Sequence, residues 1–248
     1  MPKPPDPLRW LNPFYILLIF IAVLFITAIA SLPLVFYVLV SYDTVDEMLA
    51  ALMTPIMLLV QLIIQDSIFL IIPYIVYLRT RVLTWVELGL SKMSNRDLAI
   101  RTGSGLAVGM VMAAIVTGLT SLLNYNSSGG LPMTKLDSVP NYLFMLIGGA
   151  VIAPIAEEFF FRGIAFKGLM KWMERKGYTW GFWGALLFSS IIIAAVHGYD
   201  IVGTTVVFIA AIVFALLFQK TGSLLTPIMA HAAYNGTLIT IEYLMFSG

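Results

Sequence analysis

Apolar residues in this chain come in long runs, with neither the three-to-four-residue rhythm of a half-buried helix nor the alternation of a half-buried strand. A bilayer core about 30 Å thick needs roughly 20 helical residues, and only helices or closed barrels satisfy backbone polar groups there. The runs are too long for barrel strands. They predict seven spans: Phe14–Tyr42, Pro55–Leu78, Gly103–Leu123, Tyr142–Arg162, Trp180–His197, Gly203–Phe218 and Leu224–Met245. The first is long enough to tilt or to bend at Pro33. The fold class is therefore all-α, a polytopic transmembrane helix bundle of about seven spans, or eight if one is broken.

Composition agrees with this pattern. Of 248 residues, 60% are hydrophobic and 11% charged, against roughly 45–50% and about 25% in soluble domains. The net charge of +1 says nothing about partners, but its distribution does. With the N-terminus in the cytoplasm and the spans alternating, the inner segments hold Lys3, Arg9, Arg79, Arg81, Lys92, Arg96, Arg101, Lys167, Lys171, Arg175, Lys176 and Lys220. The outer segments hold only Lys135, and Arg162 ends a span. This asymmetry obeys the positive-inside rule and predicts a cytoplasmic N-terminus, and the expected location is integral in a prokaryotic plasma membrane. The run after Lys3 and Arg9 exceeds the length of a signal-peptide core and reads as a retained span. No basic, aromatic-interleaved stretch suggests a nucleic-acid partner. The absence of cysteine rules out disulfides, thiol catalysis and Cys-ligated metal.

The turn-rich segment Asn124–Pro140 divides the chain. Residues 1–140 form an N-terminal scaffold of about three spans. Residues 141–248 carry three polar clusters inside their spans. Such residues are costly in lipid and usually face the bundle interior, where they work. Asp66 is the one acid inside an N-terminal span, and a functional and a local structural role are equally open for it.

The first cluster is AEEFFFRG, residues 156–163. Glu158 and Arg162 are four apart and can pair on one helix face. Glu157 is rotated about 100° from Glu158 and is left for chemistry. The second cluster ends in His197, the third holds His231 and Asn235, four apart on one face of the last span. These are the only two histidines in the chain. Together the clusters supply a carboxylate base, an imidazole and two hydrogen-bond donors, the inventory for activating water and stabilising a tetrahedral intermediate. If the fourth and fifth spans turn near Gly177, Glu157 and His197 lie 20 residues to either side and reach similar height. The stretch FKGLMKWMERKG then extends the fourth helix or lies on the membrane surface. His231, nine residues past Gly222, is shallower on a straight rod. A tilt or break near Gly198, Gly203 or Pro227 is expected to bring the clusters together.

In this order the clusters resemble the motifs of the CPBP family, the CAAX proteases and bacteriocin-processing enzymes also called Abi, which includes the Ras-converting CAAX endopeptidases. Glu157, Glu158 and Arg162 match EExxxR. His197 matches FxxxH, with Ile193 in place of the usual Phe. His231 and Asn235 match HxxxN, and the lead-in KTGSLLTPIMAHAAYN is similar to the family's own. The resemblance covers roughly Asn141–Phe246. It implies an intramembrane glutamic endopeptidase that needs no cofactor. Glu157 would activate water with His197 assisting, His231 and Asn235 would form the oxyanion site, and Glu158 and Arg162 would support them. The implied partner is a peptide or membrane-anchored protein, of the prenylated CAAX type in one branch of the family.

Two other classes stay open on the residues alone. A metal-dependent membrane protease would use Glu157, His197 and His231 as ligands with one open position, although HExxH is absent. A non-enzymatic immunity or transport protein would use the buried acids and histidines for binding or proton relay, although no internal repeat is visible.

Overall fold

The computed structural model describes residues 7–123, 125 and 136–246. Lys3, Lys135 and most of the expected linker Asn124–Pro140 lie outside the described residues. Among the described residues, 83% are helical, in eight helices, and no strand occurs. They are α1 (Pro13–Ser41), α2 (Val45–Leu52), α3 (Pro55–Leu78), α4 (Asn95–Leu122), α5 (Val139–Arg175), α6 (Gly181–Val196), α7 (Ile201–Thr221) and α8 (Leu225–Phe246). A short 3₁₀ turn, Pro7–Leu11, precedes them.

Five of these, α1, α3, α4, α5 and α7, are long and apolar enough to cross a membrane. The count of seven from sequence runs includes two helices that fall short of that standard. α6 has 16 residues, about 24 Å of helix against a core of about 30 Å. α8 has 22 residues, but His231, Asn235, Glu242 and several threonines dilute its apolar character. The bundle also extends its helices beyond the apolar runs. α4 begins at Asn95 under the cap of Ser94, whose side chain accepts from the Asp97 amide. α5 continues through the FKGLMKWMERKG stretch to Arg175 and turns at Gly177, which has φ +78°. α1 runs unbroken through Pro33.

α1 and α3 pack on each other, and α3 packs along α5. Phe20 of α1, Phe69 of α3 and Phe160 and Phe161 of α5 form an aromatic cluster with centroid separations of 5.2–6.4 Å. Large apolar side chains on the outer faces, such as Phe25, Leu32 and Phe36 of α1, are more than half exposed. A soluble protein would bury that surface, whereas lipid solvates it.

α8 lies closely along α4. A Cβ on Gly105 would sit 2.5 Å from the Thr226 carbonyl oxygen, and one on Gly109 would sit 2.1 Å from that of Ala230. This is small-residue packing of the kind that lets membrane helices touch backbone to backbone. The α7–α8 connection is held from below by the segment before α4. The Leu224 amide donates to the Leu88 carbonyl at 3.0 Å, and the Ser223 hydroxyl donates to the Gly89 carbonyl at 2.9 Å. Gly89 has φ +63°, and a Cβ there would overlap the Gly222 carbonyl oxygen at 1.8 Å.

Of the three places where a break was expected, the chain uses Gly198. α6 stops at Val196, Gly198 takes φ +67°, and Asp200 caps α7 by accepting from the Gly203 amide at 2.9 Å. Gly203 lies inside α7, and α8 passes through Pro227 in its first turn, where proline is tolerated.

Candidate active site

α5 is regular only in pieces. π-helical turns occupy Leu146–Ile152 and Phe159–Phe166, flanking the regular stretch Ala153–Glu158. Pro154 lacks the N–H that would close the preceding turn, so the hydrogen-bond ladder re-forms with a wider step just before it. Such wide turns are frequent at functional sites. Here they bracket the paired glutamates.

Glu158 and Arg162 pair as their four-residue spacing requires. The Arg162 Nε lies 2.9 Å from Glu158 Oε2, with side chains 2% and 0% exposed. Arg162 also stacks over the Phe214 ring of α7 at 5.5 Å. Its Nη2 reaches the Ala211 carbonyl oxygen at 3.5 Å. The second oxygen of Glu158 receives His231 from α8, Nδ1 to Oε1 at 2.8 Å. Glu158 is thus fully buried between a guanidinium and an imidazole.

Glu157 does not point away from this group. Its Oε2 lies 4.0 Å from His231 Nε2, so the two consecutive glutamates flank opposite nitrogens of one ring. That oxygen is buried and accepts no hydrogen bond from the described protein. Phe214 stacks on the other side of the His231 ring, with centroids 5.2 Å apart and planes 27° from parallel. A carboxylate at Nδ1 places the proton there in a neutral ring and leaves the Nε2 lone pair facing Glu157.

Asn235, one turn after His231, donates through Nδ2 to the Gly149 carbonyl at 2.8 Å. One amide hydrogen of the two remains for another acceptor. The bond reaches the π-helical turn of α5 across the bundle, and nothing in the local sequence pairs these residues.

His197 sits half-buried at the end of α6. Its Nδ1 lies 2.7 Å from the Ile193 carbonyl oxygen, which assigns the proton to Nδ1 and the lone pair to Nε2. Its ring is 5.6 Å from that of Tyr199, and Tyr199 is within electrostatic range of Glu157. The structure therefore joins Glu157, Glu158, Arg162 and His231 directly, anchors Asn235 beside them, and places His197 at the rim through Tyr199. No hydrogen bond or ion pair links His197 to Glu157, His231 or Asn235.

Sequence reasoning missed Phe214, Gly149 and Tyr199. The Gly148–Gly149 pair inside an apolar run was the available signal for a close backbone approach. Asp66 is completely buried on α3 and within electrostatic range of Glu157 and His231, a relation that sequence distance conceals. Among the described residues no group of three His, Asp or Glu side chains is arranged to hold a metal ion.

Between α3, the segment before α4, α5 and the start of α8 lies an apolar cavity of about 310 Å³, whose lining includes neither glutamate. Ile155 and Phe159 of α5 and Ile228 of α8 line it, with Leu70 and Tyr74 of α3 and Trp85 opposite. Ile155 and Phe159 bracket the two glutamates in sequence, and Ile228 is one turn before His231.

Near the end of α5, the Lys171 ammonium lies 2.6 Å from the carboxylate of Glu87, in the segment before α4, and donates to the Val82 carbonyl at 3.1 Å. Partial burial pushes the Glu87 carboxyl up, but hydrogen bonds from Lys171 and Thr84 and the Lys171 charge outweigh it and hold the group below its usual value. This contact ties the end of α5 to the segment that supports α8.

Residues 139–237 match the family model described as type II CAAX prenyl endopeptidase Rce1-like. An "uncharacterized 24.3 kDa protein" of Escherichia coli is 31% identical over 104 residues, which are 40% of this chain and 46% of that protein. The aligned part thus spans less than half of that relative. No solved structure matches the chain. Glu157, Glu158, Arg162, His197, His231 and Asn235 all fall inside the matched segment, so the family model that recognises residues 139–237 is the one the three motifs resemble, that of the Rce1-like type II CAAX prenyl endopeptidases.

Proposed function

We propose that the protein is an intramembrane endopeptidase that hydrolyses a peptide bond with water activated by Glu157. The observation that carries this reading is the pair of consecutive glutamates on one imidazole. Glu158, neutralised by Arg162, orients His231, and Glu157 keeps a buried oxygen that no protein donor occupies.

In the proposed step a water sits between Glu157 Oε2 and His231 Nε2, whose 4.0 Å separation is too long for a direct hydrogen bond. Its O–H bond breaks, the proton passes to Glu157, and the oxygen bonds to the peptide carbonyl carbon. The free amide hydrogen of Asn235 meets the resulting oxyanion. The C–N bond then breaks, and Glu157 returns the proton to the departing amine. His197 assists from the rim through Nε2. This division differs from the one that the resemblance implies, in which His231 donates to the oxyanion. With Nδ1 committed to Glu158, that donation would need a charged ring.

The substrate is a membrane-associated peptide or protein. Among such substrates, an apolar cavity lined by Ile155 and Phe159, on the helix that carries the acids, favours the prenylated CAAX type, because an isoprenoid is the part of the substrate that needs an apolar slot.

The test is cleavage of quenched fluorescent peptides, prenylated and unprenylated, by detergent-purified protein. Wild type, Glu157→Gln and His231→Ala run in parallel, with and without chelator. The expected result is cleavage by wild type, favouring prenylated peptides, that both variants lose and the chelator spares. Cleavage retained by Glu157→Gln sinks the mechanism. Loss on chelation moves the reading to a metal-dependent protease, and no cleavage by any form moves it to an immunity or transport role.

A further inference from the structure

Phe214 of α7 touches both groups that hold Glu158. Its ring stacks on that of His231, with centroids 5.2 Å apart and planes 27° from parallel. The Arg162 guanidinium lies over the same ring at 5.5 Å. Three residues earlier on α7, the Ala211 carbonyl oxygen lies 3.5 Å from Arg162 Nη2. α7 has no charged side chain between Asp200 and Lys220, so it meets this site with a ring and a carbonyl.

One hydrogen bond leaves an imidazole loose in one direction. The Nδ1 of His231 meets Glu158 Oε1 at 2.8 Å, which selects the nitrogen that faces that acid. The second side-chain torsion of histidine has a broad well with no sharp staggered minimum. A ring that pivots on its Nδ1 contact can tilt and keep that bond, while Nε2 on the opposite side swings. Nε2 is the atom 4.0 Å from Glu157 Oε2, so that spacing is defined only as well as the plane of the ring.

A flat face against the imidazole resists the tilt, because tilting drives one edge of the imidazole into the phenyl ring. The separation of 5.2 Å falls within the range of about 4.5–7 Å at which aromatic rings attract in offset geometry. Phe214 is itself held in place. It is buried and packs with Ala210 and Ala230 in an apolar group against which Met112 of α4 and Tyr234 of α8 also rest.

We propose that Phe214 is a positioning residue for His231: its ring sets the tilt of the imidazole and thereby the direction of Nε2 towards Glu157. By seating Arg162 as well, it ties both partners of Glu158 to α7. No bond forms or breaks at Phe214. The inference rests on the reading of Glu157 and His231 as the pair that holds the attacking water, and it adds a residue from a helix that carries none of the three motifs.

The test is solid-state NMR of the full-length protein in lipid bilayers, with isotope-labelled histidine and no substrate. The chain has two histidines, so His197→Gln assigns the His231 signals. The order of the His231 ring is compared in wild type, Phe214→Leu, Phe214→Tyr and Phe218→Leu. Phe218, four residues further along α7, is also buried but packs on Phe166 at 6.3 Å, so Phe218→Leu removes the same ring from the same helix without touching the stack on His231. The expected result is a loss of ring order in Phe214→Leu alone, with Phe214→Tyr, which keeps the flat face, and Phe218→Leu at the wild-type value. Where Phe214→Leu does not fold, Phe214→Met replaces it, since a flexible thioether fills the volume without a flat face. Unchanged order in Phe214→Leu, or an equal loss in Phe218→Leu, overturns the proposal. In an active preparation, kcat of Phe214→Leu falls by about 10- to 100-fold with KM unchanged, and Phe214→Tyr restores it. A wild-type kcat in Phe214→Leu also overturns the proposal. The order measurement needs no turnover, so a preparation in which no form cleaves peptides faults the peptidase reading while the ring order still decides the role of Phe214.

Discussion

The Nδ1 of His231 meets Oε1 of Glu158 at 2.8 Å, across 73 residues of chain. The bond orients the ring and selects which nitrogen faces Glu157. It also completes the neutralisation of a carboxylate that Arg162 alone holds on its other oxygen. On the proposed mechanism, two adjacent acids thereby receive opposite tasks from their surroundings, one structural and one left for chemistry.

The two glutamates should therefore respond differently to the same change. Glu158→Gln strips Arg162 and His231 of their shared anion and leaves a buried guanidinium uncompensated. Breaking a buried pair from one side costs about 3–5 kcal/mol. Glu157→Gln removes a group whose Oε2 has no protein donor, so stability should stay within about 0.5 kcal/mol of wild type or rise. Thermal unfolding in detergent separates the two, and peptide cleavage should be lost in both. Equal destabilisation would contradict the assignment.

Asn235 is held by one bond and works, on the proposed mechanism, through its other amide hydrogen. Asn235→Ala removes the contact to the Gly149 carbonyl, which costs about 1 kcal/mol of stability. The loss in kcat should be larger, about 10²–10³, as for other single oxyanion donors, with KM little changed. A change in KM alone would assign Asn235 to packing or substrate binding.

Much of this site is legible in the sequence because lipid makes polar residues expensive. Two histidines, two glutamates and an arginine inside apolar runs mark an interior, and the four-residue spacing of Glu158 and Arg162 is a pair on any helix. The wider relations depend on tertiary geometry. A rotation of about 100° between Glu157 and Glu158 argues that they point apart, yet an imidazole entering from α8 offers a nitrogen to each. The bond from Asn235 to Gly149 follows from how α8 crosses α5. Asp66 is visible as an oddity, and its complete burial depends on tertiary packing that local spacing does not reach. The small-residue spacing of Gly105 and Gly109, four apart, is a readable signal for a helix contact. It identifies the face of α4 without identifying α8 as its partner.

The contact between Glu87 and Lys171 makes stability depend on pH in a defined window. The Glu87 carboxyl is held below its usual value in the folded protein, so folding favours the ionised form. Its contribution is complete above the unfolded-state value and fades as pH falls through the lowered folded value. In detergent, Glu87→Gln should lower the unfolding temperature near neutral pH. The difference from wild type should close once the pH drops below the ordinary glutamate range. A difference that persists at the lowest pH would mean that the carboxylate charge is not what stabilises this contact.

The placement of His231 rests on how closely α8 approaches α4. A Cβ at Gly109 falls 2.1 Å from the Ala230 carbonyl oxygen and 2.8 Å from the Ala233 Cβ. Both contacts are with atoms that have no rotamer to move, so Gly109→Ala must push the helices apart. Overpacking of this kind typically costs about 1–3 kcal/mol. Ala230 adjoins His231, and a shift of α8 there would stretch the bond to Glu158 and the spacing to Glu157. Gly109→Ala should therefore lose cleavage well beyond its loss of stability. Gly118, at which an added Cβ meets nothing within 4 Å, serves as the control: Gly118→Ala should leave both measurements near wild type. If Gly109→Ala keeps full activity while folded, the contact of α4 with α8 is not what sets the His231 geometry.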